Sequence, residues 1–310
     1  MYYSIRHVSK FRYSTPIRES MMEVRMQPRN EGLQHLLSFV LQTAPRAAVT
    51  AYRDGAGNGV HHFDVPDSHG SLTITATALV SLLPGPAAPE RLEPTAWDEL
   101  DRLVATDEYW DDLAPSRFAR PGPLLRDFAA ELDLGRRDDP LSTARAINAA
   151  IHDAFAYKPQ STRANSPIDD ALRLRQGVCQ DFAHIMIALL RELGIPSRYV
   201  SGYLAHRAGA TTAVRDRSAA DATHAWVEAL LPPIGWVGFD PTNSLVTGER
   251  HIRVAVGRDY DDVPPTHGVY KGRADNDLSV AVQVTPSDGP PSADDLPSPL
   301  GWAPSGNGQQ

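Results

Sequence analysis

The stretch Gly177-Val-Cys-Gln-Asp-Phe-Ala-His-Ile-Met-Ile-Ala-Leu-Leu-Arg-Glu-Leu-Gly-Ile-Pro196 decides the fold and holds the only cysteine of the chain, Cys179. Phe182, Ala183, Ile185, Met186, Ile187, Leu189 and Leu190 leave it almost no polar side. That is the pattern of a helix buried all round, not of a surface helix. Gly194, Ile195 and Pro196 predict its end: a left-handed cap, an apolar residue, then a helix breaker. The helix is predicted to start at Cys179. A thiol in a first turn lies beside unpaired N–H groups and the positive end of the dipole, and both favour the thiolate. Gly177, two residues earlier, permits unusual backbone angles or a close approach. A lone cysteine is also a common inert core residue, so the helix alone does not decide the chemistry.

Beyond Pro196 the apolar period changes to two. Residues 198–204 read as a strand, with Tyr199 and Tyr203 on one face and Val200 and Leu204 on the other. Residues 206–223 are small and polar, a surface loop suited to specificity or gating. Residues 224–231 and 236–240 form two further strands around Pro232-Pro-Ile-Gly235, a hairpin with a four-residue loop. Antiparallel pairing brings the start of one strand beside the end of the other, so His224 and Asp240 are predicted neighbours. A carboxylate beside an imidazole fixes its tautomer and stabilises its charged form. If the cysteine helix packs its N-terminus against this sheet edge, Cys179, His224 and Asp240 form a thiol–imidazole–carboxylate constellation. A His–Asp pair also serves as a structural hydrogen bond, and the chain has 11 histidines.

Upstream, residues 1–88 read as short strands punctuated by Gly, Pro and Asn, the signature of a sandwich or small barrel. His61, His62 and His69 lack carboxylates or thiols at ligand spacing and read as exposed strand-end histidines, not a metal cluster. Residues 84–90 have linker composition. Helical periodicity follows, with Thr95 as a predicted cap, then segments 121–134 and 142–157, and a short helix opened by Ser166-Pro167. Residues 285–310, rich in Pro, Ser, Gly and Asp, read as a disordered tail. The predicted organisation is a β-rich domain over 1–88, an α+β core over 89–284 and the tail.

Composition bounds the function. The 310 residues are 42% hydrophobic and 22% charged with net charge -8, a globular profile without a basic run. Nucleic acid and anionic membrane are therefore not expected partners. One cysteine excludes an intrachain disulfide and any multi-thiolate metal site. The first 16 residues lack an apolar signal core, and no apolar run approaches the roughly 20 residues of a membrane span. A cytoplasmic location is expected, with no cofactor and no metal; oligomeric state stays open.

The segments Gly177-Val-Cys179-Gln-Asp181-Phe-Ala, Gly194-Ile-Pro-Ser-Arg-Tyr-Val-Ser-Gly202-Tyr, His224-Ala-Trp226-Val-Glu228 and Gly235-Trp-Val-Gly-Phe-Asp240-Pro-Thr-Asn resemble the core blocks of the transglutaminase-like superfamily. The chain is similar to its bacterial members with a β-rich N-terminal region, over roughly residues 1–260. The resemblance implies an α+β fold: a β-sandwich-like N-terminal domain, then a papain-like core whose cysteine helix packs on an antiparallel sheet. It implies Cys179 as nucleophile, His224 as general base and acid, and Asp240 as orienting carboxylate, acting on a protein, peptide or other amide through a thioester. The backbone N–H of Cys179 is the natural oxyanion donor, with Tyr157 and Gln176 as candidates for a second. Asp181 is expected to cap the first turn, His184 to lie in the core, and Trp226 and Trp236 to pack beside the site. Hydrolysis is the expected outcome for this subfamily. Acyl transfer to an amine and a non-catalytic binding module are the alternatives. Asp259-Tyr-Asp261-Asp262 reads as a solvated loop and not as the acidic cluster of a calcium-dependent crosslinker.

Overall fold

Period-two alternation over the first 82 residues produces five strands, β1 (Tyr2–Val24), β2 (Gln34–Ala44), β3 (Val49–Arg53), β4 (Gly59–Val65) and β5 (His69–Leu82), in a computed structural model that describes residues 1–206, 216–218, 222–287 and 289. β1 is long enough to take different partners along its length. Its first half runs antiparallel to β5, and its last residues run antiparallel to β4. The two wings share one apolar cluster, with Phe11, Leu72 and Ile74 from one and Met22, Val24 and Phe63 from the other. The N-terminal region is strand-rich, as expected.

Six helices follow: α1 (Ala96–Val104), α2 (Trp110–Leu113), α3 (Pro123–Glu131), α4 (Pro140–Ala154), α5 (Ile168–Leu174) and α6 (Cys179–Glu192). The helix starts differ in detail from the sequence reading: α3 begins at Pro123, and Pro167 is the cap of α5 and not its first helical residue. Thr95 is itself helical and makes no side-chain cap bond. α4 begins two residues before Ser142, because Asp139 supplies the cap: its carboxylate accepts the Ser142 N–H at 2.9 Å, and Pro140 fills the first helical position. α6 starts at Cys179, and Gly194 ends it in the left-handed region at φ 79°. Its residues from Gln180 to Arg191 are buried. Even Arg191 is inside, with its guanidinium donating to the carbonyls of Asp112, Ala114, Ser197 and Arg258.

The second sheet is antiparallel. It comprises β8 (Ser197–Leu204), β9 (His224–Leu231), β10 (Gly235–Asp240), β11 (Leu245–Val246) and β12 (His251–Gly257), in the order β11-β10-β9-β8-β12. Ala225, Val227, Ala229 and Leu231 join the apolar core of α6, whereas Val200, Trp226 and Val256 form a separate cluster. This alternation along β9 is the pleat at work.

The chain then returns to its start. β13 (Thr266–Lys271) and β14 (Asn276–Ser287) both pair antiparallel with β1. Residues 266–284, grouped with the core from the sequence, thus complete the N-terminal sheet. Two side-chain amides join the halves. Gln34 bonds the backbone carbonyl and N–H of Arg253, each at 2.8 Å. Asn58 does the same to Val256, each at 2.8 Å. Each amide acts as one rung of a missing strand on the edge of β12.

Candidate functional site

The first turn of α6 is built around Asp181. Its carboxylate accepts the Val178 N–H at 2.9 Å and the Thr162 hydroxyl at 2.5 Å. Burial raises its pKa against the pull of those bonds. Asp181 therefore closes the turn, as expected, and ties residues before α5 to it. Gly177 supplies close approach, not special angles: a Cβ there would lie 2.9 Å from Asp181 Oδ2 and 3.1 Å from Phe182 Cε1. Cys179 is half-buried at the start of the helix.

The hairpin delivers the other two predicted residues. β10 pairs with β9 so that Gly238 faces Glu228 and Phe239 faces Val227. This register leaves His224 and Asp240 adjacent at the open end, with His224 Nε2 2.8 Å from Asp240 Oδ2. Both are buried. Oδ2 also accepts from Asn243 Nδ2 at 2.7 Å, and Oδ1 accepts the N–H groups of Thr242 and Asn243 at 3.0 and 3.2 Å. The Arg217 N–H, donated to Asn243 Oδ1 at 2.8 Å, fixes which way that amide points. Burial opposes ionisation of Asp240, but His224 and a second histidine, His251, outweigh it and hold the carboxylate well below its usual range.

His224 responds in the opposite sense. Burial alone would lower its pKa; the Asp240 charge and hydrogen bond, with a further contribution from Cys179, push it up to about 10. With the Nε2 hydrogen committed to Asp240, the neutral ring keeps its lone pair on Nδ1. That nitrogen is buried and makes no fully formed hydrogen bond. Cys179 is near enough to act on the ring both as a hydrogen-bonding group and as a charge. The three predicted residues thus come together.

A histidine that sequence reasoning missed joins them. His251 Nε2 lies 3.2 Å from the same Asp240 Oδ2. His224, Asp240 and His251 are the one group of three potential metal-ligating residues that converge among the described residues. The Gly248 N–H points at His251 Nδ1 at 3.4 Å. Nδ1 is then the acceptor, Nε2 carries the hydrogen, and no lone pair on Nε2 is left for a cation. Hydrogen bonding accounts for this trio without a metal.

The remaining expectations divide. Trp226 is buried with its ring 6.1 Å from that of His224. Trp236 lies away from the site, under the Arg198 guanidinium at 4.2 Å, because its partner is Leu230 at the far end of the hairpin. His184 lies in the core, where it accepts the Tyr260 N–H and stacks on Phe118; burial lowers its pKa to about 3. Tyr157 and Gln176 sit on β6 (Ala156–Tyr157) and β7 (Gln176–Gly177), a parallel pair in which Tyr157 faces Gly177. His61 and His69 are buried and not exposed as expected, because His61 packs on Phe39 and His69 bonds Ser20; His62 pairs with Asp64. Asp261 and Asp262 pair with Arg117 and Arg258, and Asp259 accepts the Phe118 N–H. Most of loop 206–223 and of the predicted tail lies outside the described residues.

A buried His–Asp pair at the mouth of an antiparallel hairpin, beside a cysteine that opens a buried helix, defines a papain-like α+β class. The chain belongs to the transglutaminase-like superfamily: its family model matches residues 126–241, and the bacterial transglutaminase-like N-terminal region matches residues 3–81. The uncharacterized protein ML0607 of Mycobacterium leprae is 34% identical over 283 residues, covering 90% of this chain and 96% of that protein. The protein-glutamine gamma-glutamyltransferase of Pseudomonas aeruginosa is 35% identical over 160 residues, 48% of this chain and 23% of that protein. A crystal structure from Cytophaga hutchinsonii, provisionally assigned as a cysteine protease, shares the fold. Its TM-score is 0.70 at 23% identity, covering 94% of this chain and 93% of that one. Among the described residues, no helix is long and apolar enough to cross a membrane.

Proposed function

We propose that the protein is a cysteine enzyme that opens amide or peptide bonds through a thioester acyl-enzyme. Cys179 is the nucleophile, His224 the general base and acid, and Asp240 the orienting carboxylate. One observation carries this reading. His224 commits Nε2 to the buried Asp240 carboxylate, and Cys179 acts on the same ring through hydrogen bonding and charge, so one imidazole links a thiol to a carboxylate.

The chemistry follows from the geometry. Nδ1 takes the Cys179 proton and the sulfur attacks the amide carbon. The Cys179 backbone N–H, unpaired at the first helical position, receives the oxyanion, with Tyr157 or Gln176 as second donor. The intermediate collapses, and the imidazolium hands its proton to the leaving amine. Water, deprotonated by Nδ1, then attacks the thioester carbon; the acid leaves and the sulfur regains its proton. Water is the favoured acceptor. Transfer to a second amine is the other reading, supported by the identity with the Pseudomonas protein-glutamine gamma-glutamyltransferase. A protein or peptide is the substrate in both. A cytoplasmic setting completes the proposal, since an unpaired thiol suits a reducing compartment; cell fractionation checks it.

The first test is iodoacetamide labelling against pH in the native protein and in His224→Ala, unambiguous with one cysteine. Fast labelling that extends well below the pH at which free thiols react, and is lost in the variant, is expected. Slow labelling confined to alkaline pH would favour a non-catalytic binding module. Glutamine-containing peptides with and without a fluorescent primary amine then separate hydrolysis, which releases ammonia without incorporating the amine, from transfer.

A further inference from the structure

Asp240 Oδ2 serves two histidines. His224 reaches it from β9 at 2.8 Å and His251 from β12 at 3.2 Å. Three features hold His251 in that position. It is buried. The Gly248 N–H occupies its Nδ1 at 3.4 Å and so assigns the hydrogen to Nε2. The Trp226 ring meets it edge-on, with centroids 5.3 Å apart and planes at 74°. That indole has room because Gly202 stands opposite His224 on β8: a Cβ there would lie 2.4 Å from Trp226 Cη2.

We propose that His251 is a positioning residue for the Cys179 centre, whose Nε2–H shares the Asp240 oxygen that orients His224 and thereby limits how strongly the carboxylate holds that imidazole. This rests on the triad reading above for its catalytic consequence, but not for its effect on His224. A carboxylate oxygen that accepts one more hydrogen bond has less negative charge to offer the next donor. Without the His251 hydrogen, Asp240 grips His224 more tightly and keeps it protonated to higher pH. An imidazolium held too firmly is a poorer general acid toward a leaving amine. The other titratable groups facing the pair are Cys179 from α6 and Arg250, which precedes β12 and is paired with Asp216. None of the substitutions below alters them.

The test reads the His224 ring directly, by ¹⁵N NMR of the histidines, alongside Cys179 alkylation. In the unmodified protein at pH 7, His251 is expected to be neutral with its hydrogen on Nε2. A hydrogen on Nδ1, or a metal on Nε2, overturns the proposal whatever the variants do. His251→Phe keeps a ring but no donor; His251→Gln keeps a donor near the Nε2 position. The expected result is a rise in the His224 titration of roughly one pH unit in the Phe variant, a matching shift of the alkaline edge of fast alkylation, and near-normal values in Gln. Equal shifts in both variants, or none in either, would make His251 a space-filling residue and sink the idea. If the native protein shows no activated thiol while the NMR shifts appear as stated, the triad reading fails and the role of His251 toward His224 stands.

Discussion

At the scale of single residues, the centre depends on how many hydrogens one carboxylate accepts. Asp240 takes side-chain hydrogens from His224, His251 and Asn243 and the backbone hydrogens of Thr242 and Asn243. Asp240→Asn keeps the shape but removes the charge and turns one acceptor into a donor. Peptide turnover is expected to fall by roughly 10⁴, the scale seen when a triad carboxylate loses its charge, with low-pH alkylation of Cys179 lost in parallel. Retained turnover would show that Asp240 is only structural. Gly202 supplies the second residue-scale prediction. Its missing side chain is the space into which the Trp226 indole fits, and the Ile252 carbonyl closes the other side at 2.3 Å from a built Cβ. Gly202→Ala is expected to cost about 1–3 kcal/mol by overpacking, seen as a lower denaturant midpoint. His251→Phe offers a control at the same indole.

Among the secondary elements, β12 draws part of its placement from side chains outside its own sheet. Its partner on one side is β8; on its other edge stand the side-chain amides of Gln34 and Asn58 in place of a strand. Arg29 adds a backbone hydrogen bond to the Arg253 carbonyl at 3.0 Å. Because β12 begins with His251, the N-terminal sheet reaches the site through this edge. Gln34→Ala and Asn58→Ala each strand a backbone N–H and deprive a carbonyl. Each is expected to cost about 1–3 kcal/mol, and His251→Phe should be less damaging to the site in either background than in the intact protein. Additive effects in double-mutant cycles would argue that the edge and the site are uncoupled.

Over the whole molecule, buried histidines set the pH range of stability. His7, bonded to the Tyr203 hydroxyl at 2.9 Å, and His184 are each pushed by burial from 6.5 down to about 3. Below pH 6.5 the unfolded chain takes up protons that the folded protein refuses, so stability falls between about 6.5 and 3. The raised His224 works the other way: its contribution is complete below 6.5 and is lost as pH rises toward 10. Thermal melting across pH 4 to 10 is expected to peak near neutrality, and His7→Gln should flatten the acid side. A melting temperature that does not change between pH 7 and 4 would contradict the neutral burial of these rings. The same scale explains why the ends of the chain belong together. β14 pairs with the first half of β1 along twelve successive residues, from Tyr2–Ser287 to Tyr13–Asn276.

The sequence by itself determined the cysteine helix, its start and stop, the hairpin and the His224–Asp240 pairing. Each rests on local rules: helical period, cap chemistry, strand alternation, and the antiparallel geometry of a short loop. The Asp181 cap was legible for the same reason, since an acidic residue in a first turn has one obvious donor to reach. Only the tertiary structure decided the rest. His251 is 11 residues beyond Asp240, with no motif between them, and meets it because β12 joins the edge of the second sheet beside β8. Trp236 misses the site because register, not residue type, sets its neighbours. Residues 266–284 fall to the first sheet, not the core, because β1 offered them an unpaired edge, and strand partners distant in sequence leave no periodic trace.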